Sequence, residues 1–289
     1  MSIVETHSDP PATKPTVLDE LVERVRADSR LHGGKGPPTA LPATVAFRTE
    51  QNARHAGRVT GYANSVLSIR VGEAVGSCAT EPESQDTARL PGLAGSTVDE
   101  LLDHPDPVVR TAALDAYLAH LAPHGERSDS RTVRLPRGDS SVKSRARARE
   151  VVDLIPRGNE GPVAVIGVVN SLLSALEDRN LEHVPCDFKG GRTERGETVL
   201  RNHSEALSGA RAVLASGMTL GNGTFDGIAE HCRTNAVPLV VFAQTGSAVF
   251  RELLGTHLTA LSAEPYPFFW LTGQENEIHL YPAASGGRS

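Results

Sequence analysis

Short apolar runs alternate with amphipathic stretches through the C-terminal half of the chain. The apolar runs predict strands at Val163–Val168, Leu181–Cys186, Ala212–Ser216, Leu239–Ala243 and Leu258–Ser262. The stretches between them predict helices at Ser171–Arg179, about Ser204–Gly209, Thr224–Thr234 and Ser247–Leu254. Such alternation is typical of a parallel sheet with helices on both faces. The pattern predicts an α/β, Rossmann-like domain over residues 151–283, with the tail 267–282 adding one or two edge strands.

The N-terminal half shows a different pattern. A capping box at Thr16 and Asp19 opens an amphipathic helix that runs to about Ser29. Three β-branched, glycine-interrupted stretches then predict an antiparallel meander at Thr44–Arg48, Arg58–Ile69 and Val71–Ala79. A capping box at Ser96 and Asp99, and an N-cap with proline at Asp106 and Pro107, open two further helices. We therefore expect an α+β domain over residues 16–122.

The remaining segments are polar. Residues 1–15 and 284–289 are predicted to be tails, the first of them disordered. Residues 123–150 are predicted to be a linker, although Ser144–Leu154 has a helical pattern. A basic run at 137–149 indicates either a solvated face or an anion-attracting rim over a binding site.

Composition narrows the classes of function. The 289 residues carry a net charge of −6 with acids and bases interspersed, which argues against a nucleic-acid partner. No apolar run reaches the roughly 20 residues of a membrane span, and no secretion signal is visible. The three cysteines are widely spaced and form no CxxC pair, as expected of reduced thiols in a cytoplasmic protein. Cys78 as a reactive thiol is the weaker alternative to a packed one.

Candidate chemistry follows the ends of the predicted parallel strands, where open α/β sheets bind ligands. The loop Ser216–Thr224 is rich in glycine and in small polar residues and leads into a helix. Its backbone N–H groups suit a carboxylate or phosphate, although no Gly-Lys-Ser/Thr of an NTPase loop is present. The alternative is a capped loop with glycine for turn geometry. The candidate ligand-binding residues here are Gly217, Met218, Thr219, Asn222 and Thr224.

Three other strand ends contribute candidates. Gly167 and Asn170 follow the first strand, where the GxGxxG pattern of dinucleotide sites is absent. Asp187 follows the second strand at the spacing of a ribose-binding acid, with a surface acid as the alternative. Gln244, Thr245 and Ser247 form a small polar turn after the fourth strand, where Ser or Thr is more often a helix cap than a nucleophile.

His183 and Asp187 would share one face of their strand, which makes them a candidate metal pair. No HExxH, GxSxG or Ser/His/Asp pattern is present, so no catalytic residue can be assigned.

Several segments resemble one known family. ASGMTLGNGTFD (215–226) resembles the TGTTLINGTLD-type segment of the Rossmann-like putative heavy-metal chelation proteins. VAVIGVVNSL (163–172) is similar to that family's first strand, and VVFAQTGSAVFRELLG (240–255) to its fourth-strand turn. Met218, Gln244 and Gly246 depart from the family pattern. The resemblance implies an enolase-N-terminal-like fold for the first domain and a small-molecule site where the domains meet.

These observations favour a small-molecule metabolic enzyme, with a biosynthetic role as the expectation, that binds an anionic ligand in the interdomain cleft. The ligand is expected to be adenosine-bearing or amino-acid-like, and S-adenosylmethionine or another nucleotide-like molecule is a candidate cofactor. One alternative is a non-catalytic protein that binds a metal ion or metal chelate. A structural role is a third possibility, and a homodimer is expected.

Overall fold

The computed structural model describes residues 14–28, 30, 34–54, 61–80, 90–158, 161–266 and 271–283. The tail predicted at 284–289 and residues 1–13 of the N-terminal tail lie outside the described residues. So does the part of the second predicted strand that precedes Gly61. Among the described residues, no helix is both long and apolar enough to cross a membrane.

The N-terminal domain is a three-stranded antiparallel sheet with helices packed against it, which confirms the predicted α+β order. Its strands are β1 (Ala43–Ala53), β2 (Tyr62–Val71) and β3 (Ala74–Thr80). Its helices are α1 (Val17–Ala27), α2 (Leu90–Leu93), α3 (Val98–Leu102) and α4 (Pro107–Leu121). The capping box of α1 is the predicted one, whereas that of α3 is formed by Thr97 and Glu100, one residue later than predicted.

Helix α4 lies very close to β3. A Cβ on Gly76 would lie 1.9 Å from the backbone nitrogen of Ala116, so only glycine allows this approach. The buried residues of α4 are aliphatic or aromatic apart from Thr111 and Asp115. This contact fixes α4 between the small sheet and the C-terminal domain.

The C-terminal domain is built on a seven-stranded sheet in the order β4-β12-β11-β10-β9-β5-β6. Five parallel strands occupy one side of it: β5 (Val163–Ile166), β6 (His183–Cys186), β9 (Ala212–Ser216), β10 (Leu239–Ala243) and β11 (Ala260–Ala263). The helices between them are α6 (Asn170–Asp178), α7 (His203–Leu207), α8 (Met218–Gly221), α9 (Phe225–Thr234) and α10 (Ser247–Arg251). This arrangement confirms the predicted α/β class.

The strand predicted in the C-terminal tail is β12 (Asn276–Tyr281), which pairs antiparallel with β11. A small hairpin of β7 (Gly191–Arg192) and β8 (Thr198–Val199) follows β6. The residue after this hairpin, Leu200, pairs with Cys186, so the hairpin lies along the free edge of β6.

The predicted polar linker, residues 123–150, is largely part of the C-terminal domain. It contains β4 (Arg131–Leu135), which pairs with β12 at the sheet edge, and most of α5 (Ser140–Val152). Two of its basic side chains, Lys143 and Arg147, are buried, whereas Arg137, Arg145 and Arg149 are exposed. The Nζ of Lys143 donates to the Thr272 carbonyl oxygen at 2.8 Å, so the basic run is not simply a solvated face.

The two domains share one hydrophobic core, and Asp115 joins them within it. Its carboxylate accepts the Ser77 N–H of β3 at 2.9 Å and the Ala248 N–H of α10 at 2.8 Å. Gly246, which begins α10 in the left-handed conformation (φ 69°), donates its N–H to the Ser77 carbonyl oxygen at 2.9 Å. The end of β10 is therefore held against β3 by backbone and carboxylate hydrogen bonds.

Candidate ligand-binding site

A small pocket lies where the winding of the C-terminal sheet reverses. The chain places β6 on one side of β5 and β9 on the other, and the crevice beyond β5 and β9 is where open α/β sheets bind ligands. The pocket there is lined by the ends of β5, β6 and β9, and we call it the switch-point pocket. Its volume is about 50 Å³, enough for a few water molecules or one small ionic group.

Glycine and basic side chains shape this pocket. Gly167 ends β5 with φ 87°, and a Cβ there would lie 2.7 Å from the Cβ of Ser216. Arg201 and His203 line the pocket from the segment that leads into α7. The pocket thus combines a close backbone approach with a guanidinium group, which suits a carboxylate or phosphate.

Five residues of the glycine-rich loop line the switch-point pocket: Ser216, Met218, Thr219, Asn222 and Thr224. Their hydroxyl groups already hold the loop together. The Thr219 hydroxyl donates to the Ser216 carbonyl oxygen at 2.7 Å, and the Thr224 hydroxyl donates to Asn222 Oδ1 at 2.7 Å. Neither α8 nor α9 receives a side-chain cap from this loop, so these hydroxyl groups stabilise its turns and do not cap the helices.

Asp187 also lines the switch-point pocket, but both of its carboxylate oxygens accept backbone N–H groups. Oδ1 accepts from Lys189 at 3.0 Å, and Oδ2 accepts from Val168 at 3.3 Å. Asn170 begins α6, and its Oδ1 accepts the Glu194 N–H at 3.3 Å. Both side chains thereby fix turns around the pocket.

Gly217 and Thr245 lie between the strands instead of lining a pocket. A Cβ on Gly217 would lie 2.8 Å from the Thr245 carbonyl oxygen and 3.0 Å from the Ala243 Cα. Thr245 itself is buried. This tight contact joins the glycine-rich loop to the turn after β10.

A larger cavity of about 400 Å³ lies between the two domains, and we call it the interdomain cavity. Gln244 and Ser247 line it from the turn after β10, as predicted for an interdomain cleft. The other candidate residues line the switch-point pocket or neither space, so the predicted single site is divided between two pockets. Four acids and three histidines also line the cavity: Glu73, Asp115, Glu264, Glu277, His120, His124 and His279.

Glu264 follows β11 directly and is one of the residues that line the cavity, and its carboxylate is buried behind the cavity surface. Its side chain is 0 % exposed, and its Oε1 lies 2.8 Å from the Nε of Arg147, itself buried. The same Oε1 accepts the Ser262 hydroxyl at 2.9 Å, whereas Oε2 has no hydrogen-bond partner among the described residues. The Nδ1 of His120 is likewise buried and unpartnered there. Buried polar atoms of this kind are usually satisfied in a native protein, and a bound ligand is one way to satisfy them.

His124 is the most connected histidine of the cavity. Its Nδ1 lies 2.7 Å from the Tyr281 hydroxyl, and its Nε2 lies 3.2 Å from the Ser247 hydroxyl. Burial lowers the pKa of His124 to about 3, and the positive charge of Arg251 acts in the same direction. The imidazole is therefore neutral at neutral pH, with one nitrogen able to accept a proton from a hydrogen-bonded hydroxyl group.

Burial has the opposite effect on the Asp115 carboxyl group and raises its pKa to about 6. The three backbone N–H groups around it, from Ser77, Ala248 and Gly246, lower the pKa and limit this rise. Asp115 therefore holds the domains together with a group that titrates closer to neutrality than an ordinary aspartate.

The sequence reasoning missed most of the cavity residues, since they come from both domains. Glu264 was within reach of the strand-end rule, because it lies two residues after the predicted strand Leu258–Ser262 and directly after the observed one. Asp115 carried a weaker signal as a lone acid in the apolar sequence of α4. No sequence signal marked His124 or His279 as a site residue, since the partners of both side chains lie on other elements.

His183 and Asp187 do not form the predicted metal pair. His183 begins β6 and Asp187 follows its end, and the carboxylate of Asp187 is used by backbone N–H groups. The side chain of His183 instead lies beside Glu177 of α6 and Glu197 of the β7–β8 hairpin. The three cysteines are buried as free thiols. Burial raises their pKa values to about 12 for Cys78, 11 for Cys186 and 12 for Cys232, so they remain protonated.

Taken together, the fold defines a Rossmann-like α/β protein with an added N-terminal α+β domain. Residues 150–245 match the model of the DUF364 family, described as "Putative heavy-metal chelation", which confirms the resemblance predicted from the sequence. No curated protein matches the chain.

Two solved structures of the same family share the fold. A DUF364 protein of unknown function from Desulfitobacterium hafniense has 17% identity and a TM-score of 0.54, with 86% of each chain covered. Another from Pyrococcus horikoshii has 13% identity and a TM-score of 0.55, with 91% of this chain and 98% of that one covered. At these identities the likeness shows the fold alone.

Proposed function

We propose that the protein binds a small polar metabolite in the interdomain cavity, with an ammonium or other N–H donor directed at Glu264. The observation that carries this proposal is the buried Oε2 of Glu264, which has no hydrogen-bond partner among the described residues. Leaving a carboxylate oxygen buried and unpaired is costly. A donor group on a ligand would remove that cost and would gain a charge-assisted hydrogen bond.

Size and charge support this choice of ligand. The volume of about 400 Å³ falls within the range of small-molecule sites. The residues that line the cavity include four carboxyl groups and no lysine or arginine. An amino-acid-like ligand therefore fits better than a purely anionic one.

The anionic group expected from the sequence has a better place in the switch-point pocket, beside Arg201 and His203. We propose that this pocket binds a carboxylate or phosphate, since its volume of about 50 Å³ admits only a group of that size. The glycine-rich loop is then an anion site of its own, separate in its lining residues from the interdomain cavity.

A role as an enzyme stays a proposal. The neutral imidazole of His124 orients the Ser247 and Tyr281 hydroxyl groups by hydrogen bonding, and its low pKa makes it a weak general base. The homodimer expected from the sequence also stays a prediction.

The proposal is tested by measuring the melting temperature and heats of binding with matched compounds. Glutamate carries an amine and carboxylates, and 4-aminobutyrate carries an amine and a carboxylate at a different spacing. Glutarate carries carboxylates and no amine. Compounds with an amine are expected to raise the melting temperature, because ligands that bind only the native state stabilise it. Glu264→Gln, which keeps the shape and loses the charge, is expected to remove that shift. Glu230→Gln on the exposed face of α9 is the matched control.

The opposite pattern would overturn the proposal: a shift with glutarate alone, unchanged in Glu264→Gln. Phosphate tests the switch-point pocket separately. Its effect on the melting temperature should be lost in Arg201→Ala and retained in Glu264→Gln.

A second candidate function is the binding of a metal ion or metal chelate, in keeping with the family description. The observation that favours it is the position of His183 between two glutamates.

A further inference from the structure

A cluster of three potential metal ligands lies at the edge of the C-terminal sheet, away from both pockets. Glu177 comes from the last turn of α6, His183 from the first residue of β6, and Glu197 from the β7–β8 hairpin. One nitrogen or oxygen atom from each lies within 4.8 Å of those of the other two. His183 lies three residues before the end of β6, so the cluster is roughly 10 Å from the switch-point edge of the sheet.

The imidazole of His183 carries the argument, because it is buried without a proper hydrogen bond. Its side chain is 5 % exposed. Nε2 lies 3.0 Å from Glu197 Oε1, but the direction of the ring nitrogen does not meet hydrogen-bond geometry, and it has no other partner among the described residues. A buried ring nitrogen that lies near two carboxylates without a hydrogen bond to either is an arrangement that a cation would satisfy.

The hairpin orients the second ligand. The Thr193 hydroxyl donates to Glu197 Oε2 at 2.9 Å, and the Glu197 N–H donates to the Thr193 hydroxyl oxygen at 3.1 Å. These two bonds leave Oε1 on the side of His183. Outer-shell hydrogen bonds of this kind fix ligating carboxylates in metal sites.

The carboxylate of Glu177, the third potential ligand, is paired with an arginine side chain of the same protein. Glu177 Oε2 forms an ion pair with Arg195, whose guanidinium group also donates to the Ser174 hydroxyl at 3.4 Å. Arg195 is 56 % exposed, so it can move toward solvent at small cost. The guanidinium group therefore competes with a metal ion for this carboxylate.

We infer that Glu177, His183 and Glu197 bind a divalent transition-metal ion, with Zn²⁺ the best match. One imidazole nitrogen and two carboxylate oxygens are ordinary zinc ligands, and three protein ligands leave a position for water. An imidazole ligand disfavours Mg²⁺ and Ca²⁺, which prefer oxygen. The buried cysteines play no part, so the site differs from a thiolate chelator of soft metals.

This inference deepens the second candidate function and is independent of the interdomain cavity. It is tested by titrating the tag-free, EDTA-treated full chain with zinc in a calorimeter, and with magnesium in parallel. We expect one zinc ion per chain and no saturable heat with magnesium. X-ray absorption at the zinc edge is expected to show nitrogen and oxygen neighbours at about 2.0–2.1 Å and no sulfur at about 2.3 Å.

Variants locate the site. His183→Ala and Glu197→Gln should each weaken zinc binding about tenfold or more. His257→Gln and Glu230→Gln, which alter a histidine and a glutamate elsewhere on the surface, should leave it unchanged. Circular dichroism of each variant checks that it folds, and Glu177→Gln, on a partly exposed side chain, gives a ligand variant with less risk to folding.

Arg195→Gln separates a metal site from a purely structural cluster. Removing the competing guanidinium group should tighten zinc binding, an effect that a structural role would not produce. Weaker or unchanged binding in Arg195→Gln would overturn the assignment of Glu177. If the His183→Ala and Glu197→Gln variants bind zinc as well as the native chain does, the assignment of these ligands is wrong, whereas metal binding by the protein is retained. If the native chain binds no zinc, both the ligand assignment and the second candidate function are wrong.

Discussion

The switch-point pocket and the interdomain cavity lie beyond the ends of strands of the same sheet. They differ in volume, in the charged residues that line them and in the domains that build them. The first has a volume of about 50 Å³, and its lining includes Arg201 and His203. The second has a volume of about 400 Å³, and four carboxyl groups line it. The first is built by one domain and the second by both.

The difference teaches that the most conspicuous sequence motif need not build the largest site. The glycine-rich loop contributes backbone and small side chains, which suffice for a small ionic group. The cavity depends on charged groups that are buried and paired, such as Glu264 with Arg147. On the proposal above, the anion site and the metabolite site are therefore two separate pockets.

The largest expected effect comes from removing the buried carboxylate of the cavity. Glu264→Ala leaves the Arg147 guanidinium group buried without its partner, and the free energy of unfolding should fall by about 3–5 kcal/mol. Glu277→Ala, which breaks the exposed pair with Arg134, should cost less than about 1 kcal/mol. Urea unfolding measures both. Equal losses in the two variants would mean that the pair at Glu264 is not buried as described.

An intermediate effect is expected where the glycine-rich loop packs against the turn after β10. Gly217→Ala would press a methyl group against the Thr245 carbonyl oxygen, and overpacking of this kind costs about 1–3 kcal/mol. Gly92→Ala, with open space around the added carbon, should change the free energy of unfolding by no more than about 0.5 kcal/mol. The same urea experiment compares them, and a Gly217→Ala protein as stable as the native one would contradict the tight contact.

The effect that is smallest at neutral pH, and that grows only on acidification, is a pH dependence centred on His124. Since its pKa is about 3 in the folded protein and 6.5 when unperturbed, protonation favours the unfolded state. The contribution of neutral His124 is therefore complete above pH 6.5 and is lost as the pH falls towards 3. His124→Gln should flatten the decline of the unfolding free energy over that range. An unchanged pH profile in this variant would show that the imidazole is not buried as described.

The pKa shift of Asp115 changes stability with pH in the opposite direction to that of His124. The pH profile of the native chain therefore contains both contributions, which have to be separated. Its pKa rises from 3.8 to about 6, so its relative contribution is greatest below pH 3.8 and is lost as the pH rises through 6. Comparing His124→Gln with the native chain at each pH removes the Asp115 contribution, which is common to both.

The parallel strands could be predicted from the sequence because they are buried on both faces and therefore appear as continuous apolar runs. Strand β4 could not, since Arg131, Thr132 and Arg134 are exposed at the sheet edge and break any such run. These exposed polar residues are also the reason that β4 was predicted to be part of a polar linker.

The candidate site was predictable only where one loop builds it. Thr219, Asn222 and Thr224 share a pocket because they share a loop. The contacts of His124 with Tyr281 and Ser247 span 157 and 123 residues, and no local pattern encodes them. The sequence predicted His183 as a metal ligand together with Asp187 of the same strand end. In the structure its acidic neighbours come instead from a helix and a hairpin.

The edge strand β4 also has a consequence for the order of events during synthesis. It leaves the ribosome before any of the parallel strands, whereas its partner β12 follows all five of them. Arg134 and Glu277, which face each other across this pair, are 143 positions apart. Contacts this distant in sequence close late, because a long loop must be ordered before they form. A nascent chain therefore carries β4 unpaired until β12 has been made, so β12 completes the sheet after the parallel strands are in place.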